Sequence, residues 1–240
     1  MVNKVNNNTI TTNDWLLLDS GAGEPGWNMA LDEALLERSA LLNQPVLRFY
    51  SWTEPAATFG YSQHYAEIEK VTHLRPLVRR PTGGGLVPHD ADWTYSLAFP
   101  PHHEWYELKA VESYRRVHQW LCDAFACIGV PTEVAPCCRK EVPGQCFLGW
   151  EQYDLLWMGK KIAGAAQRRN KFGLLIQGSV QPPPISLVRA NWQQAMCDVA
   201  CDQWGVNWAT LSLENAPELR SLAQKLHDEK FGCDAFNRRR

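Results

Sequence analysis

The stretch Val78-Arg-Arg-Pro-Thr-Gly-Gly-Gly-Leu-Val-Pro-His-Asp90 decides the fold that the sequence predicts. Its three consecutive glycines, Gly83, Gly84 and Gly85, can take positive φ and carry no side chain, so a ligand can lie directly against their amides. Two cations precede the glycines, and an imidazole and a carboxylate follow them: Arg79, Arg80, His89 and Asp90. The next segment, Trp93–Phe99, alternates aromatic and β-branched residues as strands do. The stretch therefore predicts a strand, a ligand-binding glycine loop and a second strand.

A nucleotide-binding P-loop is excluded for these glycines, because no Gly-Lys-Ser/Thr follows them and the next segment has a strand period where a helix would be required. A run of three glycines can also be a flexible turn without any ligand. The flanking charged residues favour the pocket.

Length and composition bound the architecture and the class of partner. A chain of 240 residues with 45% hydrophobic content can bury one sizeable core, and two small domains are the alternative. We expect a polar, disordered N-terminus over residues 1–14, a catalytic domain over 15–235 and a frayed basic tail over 236–240. A net charge of −2 argues against nucleic acid as the main partner.

Eight cysteines are present, yet the first residues contain no apolar core of a signal peptide and the chain has no membrane span. Free thiols in a reducing cytoplasm are therefore expected. No Cys-x-x-Cys pair or matching histidine cluster predicts a metal site.

The remaining pattern mixes strands and helices. Strands are predicted by short apolar, β-rich runs at Trp15–Leu18, Val46–Tyr50, Ala56–Tyr61, Tyr153–Met158, Lys161–Arg168 and Leu174–Val180. Helices are predicted by a 3.6-residue period at Glu24–Leu36, Leu108–Ile128, Leu187–Trp204 and Pro217–Lys230. Pro131–Gly149, interrupted by prolines and glycines, is predicted to be a loop. The fold class is α+β, a mostly antiparallel sheet flanked by helices.

Two motifs resemble those of the biotin/lipoate protein ligase catalytic-domain superfamily. The first is Arg79-Arg80-x-x-Gly-Gly-Gly-x-Val87-x-His89-Asp90, and the second is Gly159-Lys-Lys161-Ile-Ala-Gly164-Ala-Ala-Gln167-Arg168. The resemblance implies the same α+β fold and an acyl-binding pocket. It also implies a set of substrate-binding residues, namely Arg79, Arg80, Gly83, Gly84, Gly85, His89, Asp90, Gly164 and Gln167.

Lys161 is the first catalytic residue that the resemblance implies, since a lysine in this register can stabilise an oxyanion as a point cation. Its neighbour Lys160 should be solvated, because successive residues of a strand point to opposite faces. His89 could accept a proton or could only hydrogen-bond the loop, and Asp90 could orient His89 or Lys161.

Cys146 is the second catalytic candidate. It lies in Gly144-Gln-Cys146-Phe147, which resembles the thiol nucleophile region of LipM-type octanoyltransferases, and nearby cations would lower the pKa of its thiol. The implied reaction moves an octanoyl or lipoyl group from acyl carrier protein through a cysteine thioester to a lysine of a lipoyl domain or of glycine-cleavage H protein. Such a transfer needs no cofactor. Cys146 could instead be a packing residue without a catalytic role. Whether Cys137 or Cys138 contributes to the reaction is open.

Three other readings stay open. A lipoate-protein ligase would use ATP and Mg²⁺ to form lipoyl-AMP, and the third glycine, Gly85, favours it. A biotin ligase fits the glycine motif less well. A non-catalytic acyl-binding protein would keep the pocket and never modify a lipoyl domain.

Overall fold

The structure is a computed structural model, and it describes residues 13–140 and 149–240 of the chain. The strands are β1 (Asn13–Gly23), β2 (Val46–Trp52), β3 (Ala56–Phe59), β4 (Leu77–Arg79), β5 (Val87–His89), β6 (Trp93–Phe99), β7 (Glu133–Val134), β8 (Arg139–Lys140), β9 (Gly149–Trp150), β10 (Leu155–Trp157), β11 (Lys160–Asn170), β12 (Gly173–Val180) and β13 (Val206–Thr210). The helices are α1 (Pro25–Leu42), α2 (Tyr65–Val71), α3 (Glu104–Glu107), α4 (Ala110–Cys127), α5 (Arg189–Trp204), α6 (Pro217–Leu226), a π-helical turn (His227–Phe231) and α7 (Asp234–Asn237).

The main sheet has eight strands in the order β13-β1-β2-β6-β12-β11-β10-β7. Its pairs from β2 to β7 are antiparallel, while β13, β1 and β2 run parallel to one another. The predicted α+β fold with a mostly antiparallel sheet is therefore confirmed.

Helices cover both faces of this sheet. Helices α4 and α5 pack on one face, where Val117 and Leu121 of α4 and Trp192 of α5 are fully buried against the strands. Helices α1 and α6 cover the other face through residues such as Leu31 and Ala223. Helices α4 and α6 each bury one apolar stripe, whereas α1 is buried on nearly all sides between the sheet and its neighbours.

A smaller sheet, in the order β4-β3-β5, carries the glycine loop between β4 and β5. The sequence correctly predicts a strand on each side of the glycine loop, but the strand that directly follows the loop is β5, and the predicted Trp93–Phe99 forms β6 of the main sheet. Its residues Ala57, Phe59 and Leu77 pack with Ile68 of α2, a helix that the sequence analysis does not identify.

Two predicted boundaries differ from the structure. Strand β1 begins at Asn13, whose register partner is Val206 of β13, so the expected disorder cannot extend to residue 14; residues 1–12 lie outside the described part of the chain. The basic tail is not frayed, because the backbone N–H of Tyr65 donates to the carbonyl oxygen of Arg240 at 2.8 Å and Asn237 is buried. The backbone N–H groups of Tyr65 in α2 and of Arg79 in β4 hold this segment in place.

Within the described ranges, no helix combines the length and the apolar character that crossing a bilayer requires.

Candidate active site

A cavity lies between the glycine loop and strands β6, β11 and β12. Much of its wall is apolar or bare backbone, from Met29, Tyr50, Val87, Gly84, Ala165 and Gly178. The polar side chains in its wall include those of Thr58, Arg80, His89, Thr94, Lys161, Gln177 and Ser179. A largely apolar pocket with a few convergent polar groups is the usual form of a small-molecule site.

The glycine loop is held in one shape by hydrogen bonds. Arg80 Nη2 donates to the carbonyl oxygens of Gly83 at 2.8 Å and Gly85 at 2.7 Å. Gly84 has φ +86°, a conformation that glycine adopts without strain, and it lines the cavity. Gly60 must also be glycine, because a Cβ there would lie 1.9 Å from the carbonyl oxygen of Gly84.

Lys161 extends along the cavity wall. Its Nζ lies 2.7 Å from Asp154 Oδ2, and its side chain is only 6% exposed. A Cβ on Gly164 would lie 2.8 Å from both Cε and Nζ of Lys161, so the glycine makes room for the lysine. The neighbouring Lys160 is exposed. The structure thus separates the two lysines as strand alternation predicts, while the catalytic role of Lys161 stays a prediction.

Asp154, the partner of Lys161, is fully buried and positioned by two further donors. The backbone N–H of Glu151 donates to its Oδ2 at 2.7 Å, and the hydroxyl of Tyr114 donates to its Oδ1. Burial raises the pKa of Tyr114 well above its ordinary value, and the negative charge of Asp154 raises it further. The phenol therefore stays a donor to the carboxylate that holds Lys161.

His118 lies one helical turn after Tyr114 on α4, and its Nδ1–H donates to the Tyr114 carbonyl at 2.9 Å. Burial lowers the pKa of His118 to about 4. Its Nε2 is buried without a partner in the described part of the chain, so a proton there would be unsolvated.

Stability should consequently fall when the pH drops below about 6.5, the ordinary pKa of histidine. In this range the unfolded chain takes up a proton at position 118 and the folded chain does not, which favours unfolding. By about pH 5 this single group should lower the free energy of unfolding by roughly 2 kcal/mol, at about 1.4 kcal/mol per pH unit. Urea unfolding at about pH 7 and pH 5 should show a smaller loss for His118→Gln than for wild type. Replacing the exposed His102 in the same way should leave the pH dependence unchanged.

His89 is fixed between a hydroxyl and a carboxylate. Its Nε2 lies 2.7 Å from Thr58 Oγ1 and its Nδ1 2.8 Å from Asp92 Oδ2, while its ring stacks on Trp52 at 3.9 Å between centroids. The sequence-based expectation that Asp90 orients His89 or Lys161 is therefore wrong for His89. Asp90 is exposed, and the turn after β5 brings Asp92 back beneath the imidazole instead.

The two arginines before the glycines have different surroundings. Arg79 directs its guanidinium away from the cavity, where it donates to the carbonyl oxygens of Tyr61 at 2.9 Å, Gln63 at 2.6 Å and Asn237 at 2.9 Å. Only Arg80 lines the cavity, because consecutive residues of an extended chain point to opposite sides. Arg79 therefore holds three backbone carbonyl groups in place. The structure does not support the substrate-binding role that was expected for it.

Gln167 is also absent from the cavity wall. Its Nε2 donates to the carbonyl oxygen of Ala110 at 2.7 Å, and its Oε1 accepts from Ser113 Oγ at 3.0 Å, so it ties β11 to the first turn of α4. Gly164 and Gln167 are three residues apart on one strand, which places them on opposite faces. The second motif therefore contributes Lys161 and Gly164 to the cavity and not Gln167.

Cys146 lies outside the described residues, so its predicted role stays a prediction. Cys137 and Cys138 are exposed free thiols. Among residues 13–140 and 149–240, no three His, Cys, Asp or Glu side chains come together to hold a metal ion.

Several residues of the site were not predicted from the sequence, among them Thr58, Asp92, Asp154 and Tyr114. A signal was available for Asp154, an acidic residue inside the otherwise apolar run Tyr153–Met158, since strand interiors seldom hold an unpaired carboxylate. No such signal was available for Tyr114, because its partner Asp154 is distant in sequence.

The floor of the cavity is a buried polar network. Asp32 of α1 accepts hydrogen bonds from Arg48 Nη1 at 2.7 Å, Ser96 Oγ at 2.6 Å, Gln177 Nε2 at 2.7 Å and the Tyr50 hydroxyl at 3.1 Å. Tyr50 and Gln177 also line the cavity, so this network sets the shape of its floor.

Several characterised proteins are similar in sequence to this chain. The octanoyltransferase LipM of Halalkalibacterium halodurans is 36% identical over 181 residues, which are 69% of this chain and 65% of that protein. The octanoyltransferase LipM of Bacillus subtilis is 37% identical over 179 residues, 69% of this chain and 64% of that protein. The matched part therefore spans less than two thirds of these relatives.

Solved structures share the fold. A lipoate-protein ligase A bound with ATP superposes with a TM-score of 0.75 at 19% identity, covering 94% of this chain and 98% of that one. A bi-partite lipoate protein ligase from Thermoplasma acidophilum, described with its E2 lipoyl domain, gives a TM-score of 0.70 at 18% identity, covering 94% and 96%. The model of the lipoyl protein ligase A/B catalytic domain matches residues 24–181, which contain the glycine loop, Asp154 and Lys161. The chain belongs to the family of lipoyl protein ligase A/B catalytic domains.

Proposed function

We propose that this protein transfers an octanoyl group, or the related lipoyl group, from acyl carrier protein to a lysine of a lipoyl domain or of glycine-cleavage H protein. The observation that carries the proposal is the placement of Lys161, whose ammonium is fixed by Asp154 in the wall of a largely apolar cavity. The relatives named octanoyltransferase LipM support the acyl group and the reaction type.

The cavity suits a medium-length acyl chain. Apolar surface from Met29, Tyr50 and Val87 would bury the methylene groups, each of which contributes about 0.8 kcal/mol when removed from water. The acyl carbonyl would then lie near the polar wall, where Lys161 and the glycine loop meet.

In the first step the thiolate of Cys146 attacks the carbonyl carbon of the acyl thioester. A carbon–sulfur bond forms to Cys146, and the thiol of the acyl carrier protein leaves with the electron pair of the bond that breaks. The charge that develops on the carbonyl oxygen would be stabilised by the Lys161 ammonium, together with the backbone N–H of Gly84. Because a thioester is already activated, this step needs no ATP.

In the second step the acceptor lysine attacks the acyl-enzyme. A carbon–nitrogen bond forms, the bond to Cys146 breaks, and the product amide leaves the cavity. The role of Cys146 rests on the resemblance of its surrounding sequence to LipM-type transferases.

An ATP-dependent lipoate-protein ligase is the second candidate. Gly85 supports it, because ligases commonly keep all three glycines, and Gly83 has no atom within 4 Å on the side where a Cβ would project. An extended anionic ligand could lie against this bare backbone, with Lys161 as its cationic partner. ATP, held there with Mg²⁺, would supply the activation of a free acid that the transferase does not need.

Intact-mass measurements separate the candidates. Wild type and Cys146→Ala are each mixed with octanoyl-loaded acyl carrier protein without ATP, and apo H protein is then added. The proposal predicts an octanoyl adduct on wild type that passes to H protein, and neither event for Cys146→Ala. Cys138→Ala is the matched control and should behave as wild type does.

Other outcomes identify the alternatives. Labelling that begins only when ATP and free octanoate are added would establish the ligase and overturn the transferase. Octanoate binding without any labelling of H protein would instead establish a non-catalytic acyl-binding protein.

We also propose a cytoplasmic location, where acyl carrier protein is available. The cysteines of the described residues are all free thiols, as a reducing compartment would keep them.

A further inference from the structure

We infer that Thr58, His89 and Asp92 form a proton relay in the cavity wall, which accepts the proton that the acceptor amine loses during acyl transfer. The inference rests on the proposed function. It assigns the proton acceptor of the second step, which the family motif alone does not identify.

The hydrogen bonds in the wall run in one direction. Arg80 Nη1 lies 3.0 Å from Thr58 Oγ1, and a guanidinium can only donate. Asp92 Oδ2 lies 2.8 Å from His89 Nδ1, and a carboxylate accepts, so His89 carries its proton on Nδ1. The Thr58 hydroxyl then donates to His89 Nε2 at 2.7 Å. The basic nitrogen of His89 is therefore directed at a hydroxyl of the cavity wall.

Asp92 is the positioning residue of the relay. It is buried, and its Oδ2 also accepts from Ser179 Oγ at 2.7 Å and from Thr94 Oγ1 at 3.2 Å. These hydroxyls fix the carboxylate, which fixes the tautomer and the plane of His89. The same logic orients the imidazole in triads of nucleophile, histidine and carboxylate.

The relay connects the cavity with a second recess. His89 lines both this cavity and the second recess, whose lining also includes Glu54, Asp90 and Asp92. Asp92 Oδ1 is buried and has no hydrogen-bond partner among the residues that the structure describes. A proton taken up at Thr58 can therefore leave by way of His89 toward this recess.

The chemistry of amide formation requires such an acceptor. When the ε-amino nitrogen attacks the acyl carbon, the carbon–nitrogen bond forms, the carbon–sulfur bond breaks with its electron pair on sulfur, and the nitrogen must lose a proton. An ammonium paired with a carboxylate, as in Lys161 and Asp154, is a donor and suits the oxyanion. The Thr58 oxygen receives the proton from nitrogen as its own proton passes to His89 Nε2, and the thiolate or solvent later takes it from the imidazolium.

Other charged or titratable groups surround His89 and enter any pH dependence of the step. They are Asp92 in the following turn, Arg80 through Thr58, Lys161 and Tyr50 in the cavity wall, and Asp90 and Glu54 at the recess.

The test measures one turnover of the second step. Enzyme is loaded with octanoyl-acyl carrier protein, rapidly mixed with apo lipoyl domain, and followed by intact mass across a pH series. Thr58→Val, which keeps the side-chain shape and removes the hydroxyl, should transfer an octanoyl group already loaded on the enzyme roughly 100-fold more slowly than wild type, within the range of general base catalysis. Thr58→Ser should recover transfer to within about fivefold of wild type, because it restores the hydroxyl. His89→Gln and Asp92→Asn should each slow transfer and change the shape of its pH profile.

The controls separate this inference from the proposed function. Thr210→Val, on the exposed edge strand β13, tests the Thr-to-Val change alone and should transfer at the wild-type rate. Transfer by Thr58→Val at the wild-type rate with the wild-type pH dependence would overturn the relay and leave the proposed function standing. A wild-type protein that never labels the lipoyl domain would overturn both. If His89→Gln fails to fold, the comparison of Thr58→Val with Thr58→Ser decides the question.

Discussion

Replacing Lys161 by methionine should lower the rate of acyl transfer by about 100- to 1,000-fold, the usual effect of removing one group that stabilises an oxyanion. Methionine keeps most of the apolar stem of the side chain and removes the ammonium group. The Nζ of Lys161 is fixed by Asp154 beside the cavity, so it needs no reorganisation when charge develops on the acyl oxygen. Single-turnover transfer of octanoate from acyl carrier protein to a lipoyl domain measures the effect.

Lys160→Met is the matched control, because Lys160 is the exposed neighbour of Lys161 on the same strand. It should transfer at close to the wild-type rate. Lys161→Arg should not restore activity, since the narrow space above Gly164 is already filled by the lysine. If Lys161→Met and Lys160→Met behaved alike, Lys161 would have no catalytic role.

Asp32→Asn should lower the free energy of unfolding by about 3 to 5 kcal/mol, the usual cost of leaving a buried charge without its counterion. Arg48 is fully buried, and its guanidinium lies 2.7 Å from the Asp32 carboxylate. The neutral amide also cannot accept all of the donors that now surround the carboxylate, because its nitrogen only donates. Since domains of this kind are stable by about 5 to 15 kcal/mol, the variant would lose a large share of its stability.

Urea unfolding of wild type and Asp32→Asn provides the measurement, with the midpoint and slope compared. Asp202→Asn, an exposed position on α5, removes the same charge from the surface and should change stability by less than about 0.5 kcal/mol. A loss below about 1 kcal/mol for Asp32→Asn would show that Arg48 finds another partner and that the network does not set the cavity floor.

Local patterns predict the parts of the fold that depend on neighbours in sequence. Alternation in Trp93–Phe99 and the helical period after Leu108 correspond to β6 and α4. The glycine loop could be located because three adjacent glycines are a local signal. Edge strand β13 carries weaker information, because it depends on pairing with β1 at the other end of the chain.

The candidate site was predictable where one strand carries the whole signal and not where distant segments meet. Alternation distinguishes Lys161 from Lys160 without any tertiary information. Which carboxylate faces His89 depends on the turn after β5, and that turn selects Asp92 over the nearer Asp90. The buried partner of Lys161 is a carboxylate held by Tyr114, forty residues earlier on α4, and no sequence spacing encodes that contact.

The glycine loop has a thermodynamic consequence for ligand affinity. Ordering a free residue costs roughly 1 to 2 kcal/mol of backbone entropy, and glycine loses the most. Here Arg80 binds two carbonyl groups of the loop, the Tyr61 N–H donates to Thr82, and Thr82 Oγ1 reaches Gln177 at 2.7 Å. Folding has already met that entropic cost. A ligand that enters the cavity therefore meets a preorganised surface, and more of its contact energy can appear as binding strength.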